Sequence, residues 1–499
     1  MKSILYAKAT PYLILFSVCA VILLRSPLAP FARGVPGIDS SVFIYTTQQV
    51  MKGKLLYKEV FDHKGPTLYL LNAIGLKILN GNWSGIWLLQ MLCYFVTSAF
   101  LYKTLQFFFN KKISVLSIVT VLLYQGALEY GGNTTETWAL PFTSIALYIF
   151  TLYFVKQKRF SVLQLLALSV TFILTLFLRP NLIAVWGIFG IVVIFDLVQS
   201  KRWKEILSYA FFILVFCLLS VFPFFMYAYL KGIIQDSIYS IFLFNMEYSS
   251  AEGISGFVLV FLKTLRTMGR PSYVYLSIIL LTYILYVVLY FKEIYHKKYT
   301  VAIVGSILLI ALSCSIRNGN QYYFVQFVPV LMFPIAACFS FFAEKLFKRQ
   351  YTFTIFFFLI LNFFLIFETY IAIRDNYKND ERAFYIRLSA IISQYTDRSD
   401  KILEMGNDLN VYLFSNRESS SKYPFIFPII ENDKLRELYL AELENKPRPK
   451  LIITDWSWQY FGNNSSNKLK IFLQDNYENL DLNLVRSDGN SYSIWKLKE

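Results

Sequence analysis

Apolar residues form long runs along most of this chain. Runs of about 20 residues, the length that crosses the hydrocarbon core of a bilayer, recur from near the N-terminus to residue 373. A single run is compatible with a cleaved signal peptide, but a series of ten or more is not. The pattern predicts a polytopic α-helical membrane protein with about eleven spans. We place them at 11–29, 84–109, 113–130, 137–155, 161–178, 181–198, 206–229, 272–291, 299–315, 321–343 and 351–373.

The segment 65–81 is apolar but short, and Asn72 and Lys77 interrupt it. If it crosses the membrane, the lysine pair 111–112 faces outward and every later cationic loop is inverted. If it lies at the interface as an amphipathic helix, all cationic clusters face the cytoplasm, as the positive-inside rule requires. We therefore predict an interfacial helix, a cytoplasmic N-terminus and an outward-facing C-terminus. The clusters lie at 111–112, 156–159, 201–204, 292–298 and 345–349.

After residue 374 the composition changes, because charged residues become frequent and the apolar runs become short. Strand-like runs flank one amphipathic stretch with helical spacing. This pattern predicts a small α/β domain on the outer side, separate from a transmembrane module at 1–373. The predicted strands are 401–406, 450–456, 482–487 and 492–498, and the predicted helix is 467–480.

Composition excludes several classes of function. Hydrophobic residues make up 56% of the chain and charged residues 16%, against roughly 25% charged in soluble domains. The net charge of +16 comes largely from short loops between apolar runs, so it does not indicate nucleic-acid binding. All five cysteines fall inside apolar runs and are interpreted as small core residues. No phosphate-binding loop is present, and ATP-driven transport therefore has no support.

Polar and ionisable side chains gather at the outer ends of the predicted helices. Such groups are costly near a bilayer unless they have a partner or a role. The outer loops are predicted at 30–83, 131–136, 179–180, 230–271 and 316–320. The candidate site residues in these loops and at their edges are Asp39, Glu59, Asp62, His63, Lys64, Glu136, Arg179, Arg317 and Tyr322.

Local sequence leaves two interpretations for each candidate. Asp39, in GIDSS, is suited to cap a helix N-terminus or to act as a general base toward a hydroxyl. Lys64, in FDHKGP, is suited to anchor the chain at headgroup level or to pair with a lipid phosphate. Arg179 either anchors a helix or contacts a phosphate. Tyr322 fits an aromatic belt as well as a site.

The remaining candidates concern carboxylates and the one histidine of the outer loops. His63 lies beside Asp62 and near Glu59, a set that leaves a divalent cation open, although the spacing of a zinc motif is missing. Glu136 precedes the span that starts with WALP. It either stabilises a helix N-terminus or orients a substrate or a metal.

Three of these features occur together in a known group of enzymes. They are an aspartate in the first outer loop, an interfacial helix introduced by an acidic-lysine-proline turn, and an acidic residue in the second outer loop. The chain thereby resembles the GT-C glycosyltransferases, in particular glycosyltransferase family 39 with the protein O-mannosyltransferases, and the bacterial lipid A aminoarabinose transferases. The resemblance covers roughly residues 10–200 and rests on topology beyond them.

The resemblance implies roles for the matching residues. Asp39 would be the catalytic base and Glu136 a second catalytic carboxylate, while Lys64 and Arg179 would bind the donor phosphate. The implied reaction moves a hexosyl or pentosyl group from a polyprenyl-phosphate sugar to an acceptor hydroxyl, with inversion and without ATP or a required cofactor. In the relatives the aspartate is often followed by a glutamate, whereas Ser40 stands here. A divalent metal, with His63 as a ligand, therefore stays open.

The implied location is the inner (plasma) membrane, with chemistry on its extracytoplasmic side. The acceptor is a glycan, a lipid or a protein, and the sequence does not choose among them. A transporter or flippase for lipid-linked or polar cargo is the main alternative, but such proteins carry ionisable or broken helices at mid-membrane. A non-catalytic scaffold, with the outer domain as a binding module, is the third interpretation.

Overall fold

The computed structural model describes residues 2–129, 131–249, 297–314, 321–343, 351–430, 432–455, 463–482 and 484–499. In these residues most of the chain before 400 is helical. The first helices are α1 (Lys2–Leu23), α2 (Ile38–Met51), α3 (Pro66–Ile78), α4 (Ser84–Leu105), α5 (Lys111–Leu128), α6 (Thr135–Leu152), α7 (Val162–Leu176), α8 (Ala184–Gln199) and α9 (Trp203–Leu230). The later ones are α10 (Ile234–Ile238), α11 (Phe244–Ser249), α12 (Lys297–Cys314), α13 (Val328–Phe341), α14 (Tyr351–Lys378) and α15 (Glu381–Tyr395).

The predicted transmembrane helices agree with this architecture. Within the described residues, seven helices are long and apolar enough to cross a membrane, and α1, α7 and α8 contribute shorter apolar stretches. These ten segments coincide with ten of the predicted spans. The eleventh, 272–291, lies outside the described residues. Helices α4, α5, α6 and α13 pack together around one large apolar core.

The first helix ends earlier than the sequence pattern predicts. We placed the end of the first span at residue 29, but α1 ends at Leu23. The chain then forms consecutive turns, in which the amides of Leu24, Arg25 and Ser26 donate to carbonyls three residues earlier. The proline at 27 has no amide hydrogen, and it disfavours helical backbone in the residue before it. An apolar run alone therefore overestimated the length of this helix.

The interfacial helix predicted at 65–81 is present as α3, over Pro66–Ile78. Its 13 residues extend about 20 Å, which is too short for a bilayer core. Leu70, Ile74 and Ile78 follow one another at intervals of four and are 41–56% exposed, while Leu68 and Leu76 are buried. One face therefore packs on the protein and the other presents aliphatic side chains outward, as an interfacial helix requires.

A six-stranded sheet forms the centre of the C-terminal region. Its strand order is β2-β1-β3-β6-β4, with β5 paired to β6. The strands β2, β1 and β3 are parallel, and β6 runs antiparallel to β3, β4 and β5. The strands are β1 (Lys401–Met405), β2 (Glu418–Ser419), β3 (Leu451–Thr454), β4 (Tyr477–Asn479), β5 (Leu484–Val485) and β6 (Ser491–Leu497).

Four of these strands match the sequence prediction, but the predicted helix 467–480 is wrong at its end. The helix covers Asn463–Asn476, and the next three residues form β4. Pairing with β6 supplies backbone partners there, which a local periodicity cannot anticipate. The helix α14 also continues past residue 374, where we placed the domain boundary.

The C-terminal region contacts the segment 30–83, which was predicted as the first outer loop. The amide of Ser419 donates to Tyr45 Oη at 2.7 Å, and the Asn410 side chain donates to the carbonyl of Pro36 at 2.9 Å. The rings of Tyr45 and Tyr412 stack at 4.8 Å. One apolar core joins residues of α2, α3 and the sheet. The sheet is therefore fixed against α2, the helix that carries Asp39.

Candidate active site

The turn before the interfacial helix is fixed against the chain segment that precedes Arg179. The amide of Gly65 donates to the carbonyl of Leu178 at 3.3 Å, and the amide of Thr67 donates to that of Phe177 at 3.2 Å. A Cβ at Gly65 would lie 1.9 Å from the Phe177 oxygen. Only glycine therefore fits, and this contact brings the turn that carries Lys64 up to Arg179.

The side chains of three consecutive residues in this turn contact one another. Lys64 Nζ lies 2.5 Å from His63 Nε2, and His63 Nδ1 lies 3.3 Å from Asp62 Oδ1. The hydroxyl of Tyr69, on α3, donates to Asp62 Oδ2 at 2.5 Å. Asp62 is buried, and burial raises the pKa of its carboxyl, whereas Lys64 and the Tyr69 hydroxyl oppose that rise.

The backbone of the turn is held from two further sides. The hydroxyl of Tyr57 donates to the carbonyl of Lys64 at 2.9 Å. The Asn245 side chain, on α11, donates to the carbonyl of His63 at 2.9 Å. Neither residue was singled out from the sequence, because a tyrosine or an asparagine outside any motif carries no local signal of such a contact.

Lys64 lies in a field of several charges. Desolvation and the positive charge of Arg179 lower the pKa of Lys64 to about 8, against the opposing effect of Asp62, Asp39 and Glu136. Asp39, Glu136 and Arg179 belong to separate parts of the sequence, yet all are close enough to act on the ammonium group of Lys64. The structure thus brings together the two cations and the carboxylates that the sequence proposed.

Arg179 is held by a carboxylate and by an aromatic ring. Its Nη1 donates to Glu136 Oε1 at 2.9 Å, and Nη2 donates to the hydroxyl of Tyr323 at 3.3 Å. The guanidinium also lies over the Tyr323 ring, 4.6 Å from its centre, a favourable arrangement for a cation. The second Glu136 oxygen accepts from the Thr135 hydroxyl at 2.9 Å. Glu136 is fully buried. Its hydrogen bond with Nη1 fixes the position of the guanidinium.

Asp39 lies in the first turn of α2 and is partly exposed. The alternative in which Asp39 is the N-cap is wrong, because Gly37 occupies that position and no side chain caps the helix. A carboxylate in the first turn is still favoured by the helix dipole. Asp39 acts electrostatically on Lys64 and on Tyr322, so it lies within range of the charges at this site.

Asn133 joins the elements that carry these residues, and the sequence analysis missed it. Its Nδ2 donates to Ser40 Oγ at 3.1 Å and to Asn72 Oδ1 at 2.9 Å, and its Oδ1 accepts from Trp138 Nε1 at 2.8 Å. These partners lie on α2, α3 and α6. Asn133 is completely buried and has a left-handed backbone, with φ of +58°.

One sequence candidate among the described residues makes no contact with this cluster. Glu59 is exposed, and its carboxylate accepts from the amide of Leu55 at 2.6 Å, which closes a local turn. Arg317 lies outside the described residues. Tyr322 does belong to the cluster, with its ring 4.8 Å from that of Tyr323 in an edge-on arrangement.

The turn around His63 is the place where the sequence left a metal site open. Within the parts of the chain that the structure describes, no three His, Cys, Asp or Glu side chains converge as a metal site needs. His63 Nε2 faces the ammonium of Lys64 instead. The residues present therefore do not form a metal cage around His63.

Comparison with known proteins gives a partial family match and several similar folds. Residues 63–227 match the family model of the dolichyl-phosphate-mannose-protein mannosyltransferases. The fold is similar over 98% of this chain and 98% of the other to apo ArnT from Cupriavidus metallidurans, with a TM-score of 0.58 and 11% identity. The family model covers about a third of this chain, and the likeness to ArnT shows a shared membrane-protein fold. The matched residues include Lys64, Glu136 and Arg179.

Two further structures share this GT-C fold. One is ArnT from Cupriavidus metallidurans bound to undecaprenyl phosphate, with a TM-score of 0.56, 10% identity and coverage of 97% of this chain and 98% of the other. The other is the Archaeoglobus fulgidus oligosaccharyltransferase tethered to an acceptor peptide, with a TM-score of 0.52, 12% identity and coverage of 90% and 69%. A comparison with curated protein sequences gives no significant match.

Proposed function

We propose that this chain transfers a sugar from a polyprenyl-phosphate donor to an acceptor hydroxyl, with Asp39 as general base. This proposal is supported by the Gly65 contact that brings the turn of Lys64 to the segment before Arg179, and by the electrostatic effect of Asp39 on Lys64. A glycosyl phosphate needs cations for its leaving group and a base for the attacking hydroxyl. The site offers both kinds of group within one electrostatic cluster.

The donor phosphate would lie between the two cations. The Arg179 guanidinium is oriented by Glu136 and Tyr323, and arginine recognises phosphate through a planar set of donors. Lys64 adds a compact charge beside it. The contact of Gly65 with the segment 177–178 joins the turn of Lys64 to the segment before Arg179, which supports a phosphate site between them.

The proposed reaction is a direct displacement at the anomeric carbon. The acceptor oxygen forms the new bond to that carbon while its proton passes to Asp39. The bond between the anomeric carbon and the phosphate oxygen breaks, and the electron pair leaves with the lipid phosphate. Lys64 and Arg179 offset the charge that develops there. One displacement inverts the configuration at the anomeric carbon.

The position of the site suits a donor that is held in the bilayer. Lys64 lies two residues before α3, whose exposed Leu70, Ile74 and Ile78 suit the headgroup boundary. A polyprenyl tail in the membrane would therefore place its phosphate at the level of Lys64. The fold similarity to ArnT bound to undecaprenyl phosphate supports this class of donor.

The cationic loops support chemistry on the outer face of the inner membrane. Lys111 and Lys112 begin α5, and residues 156–159 follow α6, so both lie at helix ends remote from Glu136 and Arg179. If these clusters face the cytoplasm, the candidate site and the C-terminal sheet face outward. The acceptor would then be an extracytoplasmic glycan, lipid or protein.

The test is transfer of label from polyprenyl-phosphate sugars in membranes that contain the chain. We expect Asp39→Asn to reduce transfer by at least a hundredfold, since general-base catalysis contributes about 10² to 10⁴ in rate, with little effect on binding of undecaprenyl phosphate. Glu59→Gln is the matched control, because that carboxylate lies in the same loop but makes only a local turn contact. Normal transfer by Asp39→Asn would exclude Asp39 as the base.

A further inference from the structure

The contact between Lys64 and His63 fixes the protonation state of the imidazole. An ammonium group has only donors, so Nε2 of His63, 2.5 Å from Lys64 Nζ, must be the acceptor. A neutral imidazole that accepts at Nε2 carries its proton on Nδ1. That nitrogen faces Oδ1 of Asp62 at 3.3 Å. The geometry therefore describes a neutral histidine between a carboxylate and an ammonium.

The carboxylate at the end of this series is itself firmly placed. Asp62 is 1% exposed, and its two oxygens accept from the His63 amide at 2.6 Å and from the Tyr69 hydroxyl at 2.5 Å. Tyr69 belongs to α3. Asn245 holds the carbonyl of His63 from the opposite side. The backbone of His63 is thus restrained, and the fixed Asp62 carboxylate lies beside its imidazole.

A neutral acceptor affects Lys64 differently from a carboxylate. A carboxylate in direct contact would form an ion pair, and the donor phosphate would have to compete with it. An imidazole nitrogen orients the ammonium and favours its charged form, yet it leaves the positive charge uncompensated. The charge on Lys64 is repelled by Arg179 and attracted by Asp62, Asp39 and Glu136. A neutral acceptor adds no further opposite charge to this balance.

We propose that His63, oriented by Asp62, is a positioning residue that keeps the Lys64 ammonium charged and directed into the phosphate site before the donor arrives. This inference rests on the proposed function. It assigns His63 a role through Lys64, with no direct contact to the reacting atoms. It also differs from the metal-ligand role that the sequence left open for His63.

The test is the binding of undecaprenyl phosphate to the purified full chain between pH 6 and 10. His63→Met keeps an unbranched side chain of similar length without a nitrogen or oxygen acceptor, and His63→Gln restores an acceptor oxygen. We expect His63→Met to weaken binding about tenfold at pH 8, as the loss of one hydrogen bond to a charged group predicts. The alkaline loss of binding should also move to lower pH, because Lys64 loses its proton more easily. His63→Gln should recover most of both effects.

The outcomes separate this inference from the proposed function. If Lys64→Ala binds undecaprenyl phosphate like the native chain, the proposed donor site is wrong. If Lys64→Ala loses binding but His63→Met keeps the native affinity and the native pH dependence, only the role of His63 is wrong. Should His63→Met fail to fold, His63→Ala provides the second variant. It also removes the acceptor at Nε2 and should shift the alkaline limb in the same direction, and an unchanged limb would overturn the proposal.

Discussion

At the residue scale, several side chains hold the candidate site together without being ionisable. Asn133 is fully buried. Its side-chain amide makes three hydrogen bonds, with Ser40, Asn72 and Trp138. Each partner lies near a residue of the proposed chemistry, Ser40 directly after Asp39 and Trp138 two residues after Glu136. An amide in this position fixes the relative placement of three helices.

Replacement of Asn133 should therefore affect stability and activity together. Asn133→Ala leaves several buried groups without their partner, and we expect a loss of roughly 2–4 kcal/mol in the free energy of unfolding. The left-handed backbone adds about 1 kcal/mol for alanine. Asn133→Gly removes that strain but not the loss of hydrogen bonds. Thermal unfolding in detergent compares the two, and full recovery by Asn133→Gly would show that the side chain does not matter.

Lys64 should make the binding of the donor phosphate depend on pH. Its pKa is lowered to about 8, so the donor-free chain carries the charge below that pH and loses it above. We expect the affinity for undecaprenyl phosphate to fall as the pH rises through 8 to 10, a range in which the phosphate monoester is already fully ionised. Lys64→Arg, which stays charged throughout this range, should bind with little dependence on pH. A native chain whose affinity does not change up to pH 10 would contradict the assignment.

At the element scale, the turn 61–66 and the segment 177–178 act as one unit. Backbone hydrogen bonds join them, and the absence of a side chain at Gly65 allows the close approach. The glycine is therefore required by tertiary contact, since its own backbone conformation is an ordinary extended one. The interfacial helix begins immediately after this contact, which explains why its first turn is a fixed part of the site.

Gly65→Ala tests this coupling of elements. The added methyl group would overlap the Phe177 carbonyl, so the turn must move away from Arg179. We expect a loss of stability of roughly 1–3 kcal/mol and a loss of donor binding. Gly187→Ala is the matched control, since no atom lies within 4 Å of a Cβ there, and it should leave both properties unchanged. Equal behaviour of the two variants in binding and thermal unfolding would refute the coupling.

The element scale also shows where local patterns succeed. Hydropathy located the spans in the described residues because each membrane helix must be apolar along most of its own length. The segment 65–81, which the charge of later loops excluded from the predicted spans, forms the 13-residue helix α3. The same reasoning overestimated α1, where the chain stays apolar but turns before Pro27, and it did not predict β4, which depends on pairing with β6.

At the scale of the whole molecule, the C-terminal sheet and the first outer loop share one core. Besides the stacked rings of Tyr45 and Tyr412, Glu418 forms ion pairs with Lys52 at 3.1 Å and Lys54 at 2.9 Å. These pairs are partly exposed and contribute little individually. The buried contact of the Ser419 amide with the Tyr45 hydroxyl is the more informative one.

Tyr45→Phe should weaken the docking of the sheet. The variant keeps the ring but leaves the Ser419 amide without its acceptor, a change of about 1–3 kcal/mol. We expect a lower unfolding temperature and faster proteolytic release of the C-terminal region. Tyr395→Phe is the control, because that tyrosine is 37% exposed. Sugar transfer measured on the same preparations shows whether the docked sheet is needed for activity, and unchanged proteolysis of Tyr45→Phe would show that the hydroxyl does not secure docking.

The sequence by itself determined the membrane class, the approximate positions of the apolar helices within the described residues, and the ionisable residues that were candidates for the site. Each of these leaves a local signal, either an apolar run or an ionisable residue where a bilayer makes it costly. Only the tertiary structure decided which groups meet. It paired Glu136 with Arg179 and His63 with Lys64, and it placed Asn133 and Gly65 between the elements. Contacts between distant segments depend on how whole helices pack, and an asparagine or a glycine that serves them looks like any other in a loop.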